Sequence, residues 1–211
     1  MVTKGQFLER PTLIPVGREV MEGTAHRGMR RPPLLVLPPR PEEGGGMDHV
    51  IAAELVWAAA TAGFPTLRFN YRGVGGSQGS RGAGEALVQD AEAAMRVLLE
   101  NAESTSLAVV SLHGGAQVAL ALQARHSAVG GVCLVAPADV QLAELSRLNR
   151  ALLVVVGEED TRMPRAALSE AVGKAARGEL EVVDDAGPNF QRNLPQVGRF
   201  VAAWLKRLSG E

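Results

Sequence analysis

Short runs of aliphatic residues alternate with longer stretches of helical periodicity through most of this chain. That alternation constrains the fold more than any other feature. The plainest run is Leu152-Leu153-Val154-Val155-Val156. A strand covered on both faces loses its polar alternation and becomes a continuous Val/Leu run of this kind. The pattern predicts strands at 34–37, 65–70, 107–112, 132–135, 152–156 and 180–183. It predicts helices at 51–62, capped by Asp48, and at 85–100, 114–125, 139–148, 164–176 and 194–208. The helix at 85–100 gathers Leu87, Ala91, Ala94, Met95 and Leu98 on one face. Repeated strand–helix alternation implies a mostly parallel sheet with helices on both sides, a three-layer α/β/α sandwich. Two earlier strands, 12–16 and 18–25, have only Gly17 between them and predict an antiparallel N-terminal edge. We therefore expect one domain over residues 1–211, with 1–10 as a flexible arm.

Composition removes several function classes. The formal net charge of −1 lacks the electrostatic footprint of a nucleic-acid binder. The single cysteine, Cys133, forms no internal disulfide, and no Cys/His cluster has metal-ligand spacing. No stretch approaches the roughly 18 uncharged apolar residues of a membrane span. Lys4, Glu9, Arg10, Arg18 and Glu19 break up the first residues, which carry no signal-like apolar run. These features lead us to expect a cytoplasmic protein with no metal or cofactor, and with neither nucleic acid nor membrane as a partner.

In such sheets ligands sit outside the carboxyl ends of the strands. The loops to inspect are therefore 38–46, 71–79, 113–116, 136–140, 158–162 and 184–189. The glycine-rich stretch from Gly73 to Gly79 is no phosphate loop: Gln78 stands where a sixth-position glycine should, and no Gly-Lys-Ser/Thr follows. It reads as a tight turn out of the sheet. The segment Ser111-Leu112-His113-Gly114-Gly115 is more informative, because a strand enters it and a helix leaves at once. A nucleophile elbow needs that geometry, with small neighbours around a strained central residue. Here the central residue is His113.

Three further segments make a resemblance specific. These are Gly44-Gly45-Gly46-Met47-Asp48, the stretch Leu67-Arg68-Phe69-Asn70-Tyr71-Arg72-Gly73-Val74-Gly75-Gly76-Ser77, and Val156-Gly157-Glu158-Glu159-Asp160 with Pro164. From about Pro32 to Leu208 the chain resembles a small, lidless α/β-hydrolase of the dienelactone-hydrolase-like kind. The resemblance implies a Ser-acid-His triad, and its positions carry over unevenly. The acid falls at Asp160, the nucleophile position holds His113, and the position of the catalytic imidazole holds Pro188. The histidines are His26, His49, His113 and His126, and none follows Asp160.

The leading expectation is thus a hydrolase-like fold that has lost its triad and binds a small ligand or a protein partner. The ligand-pocket candidates are Pro39, Arg40, His113, Gly114, Asp160 and Asn189, with oxyanion-type amides from Gly114 and the loop after Leu37. One alternative is a weak or altered esterase in which His113 turns toward Asp160 as a dyad. Another is a partner-binding scaffold using Arg27, Arg30 and Arg31, or the acidic pair Asp184 and Asp185. The remaining expectations are structural: Ser111 packed within its strand, Ser77 and Ser80 in a solvated loop, Cys133 an inert core thiol, and Trp57 and Trp204 on apolar helix faces.

Overall fold

The computed structural model describes residues 8–210. Its strands are β1 (Arg10–Val16), β2 (Glu19–His26), β3 (Leu34–Leu37), β4 (Thr66–Phe69), β5 (Leu107–Leu112), β6 (Val129–Val135), β7 (Ala151–Gly157) and β8 (Arg177–Val183). Its helices are α1 (Val50–Thr61), α2 (Glu85–Ala102), α3 (Ala116–Arg125), α4 (Leu142–Leu145), α5 (Arg165–Lys174) and α6 (Leu194–Leu208). The strands form one sheet in the order β1-β2-β4-β3-β5-β6-β7-β8. β1 and β2 pair antiparallel, as does β2 with β4, while β3 to β8 are parallel.

Period-two side-chain alternation divides the core into two halves. Leu35, Leu37, Val109, Leu134 and Val154 face one side, where they pack with residues of α2, α3 and α5. Leu34, Val36, Val110, Cys133 and Val155 face the other, with Ile51 and Leu55 of α1 and Val201, Trp204 and Leu205 of α6. Every residue of β5 and β7 is buried, which is why those strands read as unbroken aliphatic runs. The segment from β6 to β7 carries only the single turn α4, so no lid domain stands over the sheet.

Several local expectations are corrected. The helix expected over 139–148 contracts to the one turn of α4. Asp48 does not cap α1. His49 is the N-cap, its Nδ1 accepting from the Ile51 amide at 3.3 Å, and Asp48 pairs with Arg68 instead. Of the expected arm, residues 1–7 lie outside the described residues. Glu9 accepts from Arg68 at 2.9 Å, and Arg10 already pairs with Ala25 in the sheet. Trp57 is 59% exposed, on the outer side of α1, while Trp204 is a buried core residue as expected.

The glycine-rich loop after β4 turns toward the sheet edge and pairs with the first half of β2. Gln78 exchanges hydrogen bonds with Val20, and Ser77 Oγ donates to the Asn70 carbonyl and accepts from the Glu22 amide. Ser77 is thereby buried, contrary to the solvated loop expected of it. Arg72 leaves this loop to meet Asp90 of α2, Nε to Oδ1 at 2.6 Å.

Candidate functional site

The ligand end of the sheet centres on the turn from β5 into α3. β5 ends at Leu112, a single 3₁₀ turn spans His113–Gly115, and α3 follows. His113 has a φ of 50°. A β-substituted residue occupies that left-handed region only when its surroundings hold it there. Gly114 and Gly115 supply the small neighbours that the sequence pointed to, and both are buried. The elbow geometry is therefore present, with an imidazole at its apex.

Asp160 approaches from the loop after β7. Its side chain is 4% exposed, and Arg162 engages it from two residues further on. Arg162 Nε donates to Oδ1 at 2.9 Å and Nη2 to Oδ2 at 2.6 Å, while the Arg162 amide donates to Oδ1 at 3.1 Å. The same guanidinium reaches the Ala136 carbonyl at 2.9 Å and His113 Nδ1 at 3.1 Å. An arginine has only donors, so His113 Nδ1 accepts, and the neutral ring carries its proton on Nε2. The direct His113–Asp160 bond expected of a dyad is thus replaced by a relay through Arg162. Sequence reasoning missed Arg162; its position two residues after the acid was the only signal for it.

Charge and burial act together on these groups. Burial lowers the His113 pKa below its ordinary 6.5, and the Arg162 charge and His49 lower it further against the pull of Glu43. The His49 ring meets the His113 ring edge-on, with centroids 5.4 Å apart. Burial opposes ionisation of Asp160, but the hydrogen bonds and charge of Arg162 outweigh it and hold this carboxyl below its ordinary value. The elbow is a neutral imidazole beside a tightly held ion pair.

The opposite wall comes from the loop after β3. Pro38 and Pro39 have no backbone N–H to offer, so the first free amide there is that of Arg40. It donates to Glu43 Oε2 at 3.2 Å, and the Gly114 amide donates to the same oxygen at 3.3 Å. Glu43 Oε1 pairs with the Arg40 guanidinium at 2.9 Å, and Arg40 reaches Asp139 at 3.4 Å. Glu43, like Arg162, was not singled out from the sequence.

The structure therefore brings Arg40, His113, Gly114 and Asp160 together, bridged by Glu43 and Arg162. Pro39 is buried behind the loop, where a Cβ on Gly45 would run into its backbone. Pro188 lies in the turn after β8, Asn189 beside it is exposed, and Phe190 closes the turn into the core. An open cleft continues from Asp160 toward the sheet edge, lined by Glu158, Met163, Pro164, Leu180 and Val182. Among the described residues no group of three or more His, Cys, Asp or Glu is placed to hold a metal ion. No helix among them is long and apolar enough to cross a membrane.

Ser111 is fully buried, and its hydroxyl has no hydrogen-bond partner. Cys133 is buried, and desolvation pushes its thiol well up from the ordinary value. Arg31 donates to the Ala102 carbonyl at the end of α2, and the Arg30 guanidinium stands over the Phe64 ring.

Comparison with known proteins agrees with this architecture. The uncharacterized protein RP471 of Rickettsia prowazekii is 33% identical over 107 residues, covering 50% of this chain and 45% of that relative. The chain thus spans about half the length of that curated relative. A protein of unknown function from Agrobacterium tumefaciens, ATU1826, described as a putative alpha/beta hydrolase, superposes with a TM-score of 0.80 at 25% identity. The match covers 97% of this chain and 98% of that one. XC6422 of Xanthomonas campestris, described as a serine hydrolase without lid, superposes with a TM-score of 0.77 at 21% identity over 97% of both chains. The family model described as "Serine aminopeptidase, S33" matches residues 43–172, from the turn bearing Glu43 through most of α5. By that match and by its fold, the chain belongs to this family of the α/β-hydrolase superfamily.

Proposed function

We propose that this protein has given up the hydrolytic chemistry of its fold and works by binding, with a small ligand or a protein surface as its partner in the cytoplasm. One observation carries the proposal. The elbow presents His113 where an attacking hydroxyl would stand, and the Nδ1 lone pair of His113 already accepts from Arg162. The neighbouring positions support it. Asp160, which in the ancestral arrangement would orient an imidazole, has both oxygens bound by Arg162. By the family resemblance Pro188 falls at the sequence position of that imidazole, and no histidine follows Asp160. Loss of one triad member typically costs on the order of 10⁴-fold, and a hydroxyl without an adjacent base stays protonated at neutral pH. An open site without a lid suits a small molecule or a partner's surface better than a long acyl chain.

The rival reading is a weak esterase that uses His113 as a general base on water. The neutral imidazole favours it, and the engaged Nδ1 disfavours it. Turnover of an activated aryl acetate separates the two. Under our proposal the wild type and His113→Ala give the same rate, equal to the protein-free background. A wild-type rate well above that of His113→Ala would establish the esterase and remove the proposal.

A further inference from the structure

The amides of Arg40 and Gly114 come from two separate loops, yet they converge on one oxygen, Glu43 Oε2, at 3.2 and 3.3 Å. Convergent backbone donors beside a nucleophile elbow form a cradle for negative oxygen, and in hydrolytic chemistry they hold the developing oxyanion. Here the cradle holds a carboxylate belonging to the chain itself. We propose that Glu43 is a built-in occupant of this cradle: it closes the site to external carboxylates and acyl oxygens, and its removal opens a binding site for a small carboxylate.

Three features favour this assignment. The Glu43 side chain leaves a 3₁₀ turn, Pro41–Glu43, whose Pro41 fixes the backbone direction, so the carboxylate returns over the amide of Arg40. The second oxygen is tied to the Arg40 guanidinium, at 3.2 Å from Nε and 2.9 Å from Nη2, which steadies the occupant without neutralising the amides. The pair also lies close over Gly114, where a Cβ would collide with Glu43 Oε1 and Arg40 Nε. Both amide contacts are long for charge-assisted hydrogen bonds. An external acetate, free to adjust its position, has room to shorten them once Glu43 is gone.

The acetate titration reads the two amides directly and the ester assay reads turnover, so a failure of one is distinguishable from a failure of the other. The probe is acetate, titrated into the ¹⁵N-labelled protein while the Arg40 and Gly114 amide signals are followed. In the wild type neither signal moves in a saturable way. In Glu43→Ala both signals shift and saturate, with a dissociation constant at least about tenfold lower than any wild-type value. Glu43→Ser, a second truncation, responds in the same way. Glu43→Gln keeps an oxygen in the cradle and stays as silent as the wild type. In Glu43→Ala combined with Arg40→Ala the Gly114 shift persists, because the backbone donors remain. Unresponsive amides in both truncations, or a shift lost with the Arg40 guanidinium, would overturn the inference.

Discussion

Gly157→Ala is expected to destabilise the protein by about 3 kcal/mol, the upper end of the usual overpacking cost, because the new methyl has only backbone to push against. A Cβ at Gly157 would overlap the Ala186 carbonyl and stand 2.6 Å from the Gly187 carbonyl oxygen. The exits of β7 and β8 pack together there, and the Glu159 amide donates to the same Ala186 carbonyl at 2.9 Å. Separating these loops would also displace Asp160 and the turn bearing Pro188. For a chain of this size such a loss lowers the thermal midpoint by roughly 6–12 °C. Gly173→Ala is the control, since a Cβ there meets nothing within 4 Å. It lies inside α5, where alanine in place of glycine should stabilise by about 0.5–1 kcal/mol. Equal midpoints for the two variants would refute the close-approach account of Gly157.

The second large effect concerns a group far from the site. Asp90 on α2 is a buried carboxylate, 2% exposed. It is satisfied by Arg72, whose Nε donates at 2.6 Å and whose amide donates at 3.0 Å. Arg72 also reaches Glu19 at 3.2 Å, so one guanidinium pins the glycine-rich loop between α2 and the β1–β2 turn. Arg72→Leu leaves an uncompensated buried charge and should cost about 3–5 kcal/mol, whereas Arg72→Leu with Asp90→Leu should recover most of that loss.

The pH dependence has a definite sign. Desolvation raises the Asp90 pKa above its ordinary 3.8 even against the hydrogen bonds and charge of Arg72. A raised folded-state pKa gives a contribution that is fully present below the unfolded pKa and lost as pH rises through the folded one. Without Arg72 that loss widens, so the deficit of Arg72→Leu should be larger near about pH 8 than near about pH 4. Denaturant midpoints of the three proteins at both pH values check this. A deficit that shrinks as pH rises contradicts the assignment.

What could be read from the sequence followed the strength of the local signal. α6 and β5 have the bounds that their periodicity predicted, because burial of a stripe or of every residue leaves its mark in composition. β8 was expected to begin at Leu180 but begins at Arg177. As the edge strand it is only half-covered, so Glu179 and Glu181 interrupt its apolar pattern. α4 is shorter than expected: Val140 lies in the segment before it, and Leu145 is the buried residue of its one turn.

The site divided along the same line. Backbone-determined features were legible: the elbow at His113 rests on two glycines, and the acid loop follows a buried strand. Side-chain reach was not. Arg162 folds back on Asp160 and across to His113, 49 positions away in the chain. Glu43 reaches Gly114 across 71 positions. Neither link has a periodicity to betray it, and both decide which hydrogen bonds at the site remain free. The dyad expectation failed for that reason, since it placed two residues correctly without the arginine between them.

Labelling with a fluorophosphonate probe is the most direct measurement, because the probe marks serines whose hydroxyl an adjacent base activates. Ser111 is fully buried, and Ser77 is buried with its hydroxyl donated to a carbonyl. One imidazole–hydroxyl hydrogen bond is present among the described residues, His26 Nδ1 to Thr66 Oγ1 at 3.1 Å. Thr66 is wholly buried and begins β4, at the end of the sheet away from His113. The folded protein should therefore take up no probe above the level of its heat-denatured form. Stoichiometric labelling of any serine, located by peptide mapping, would contradict the account.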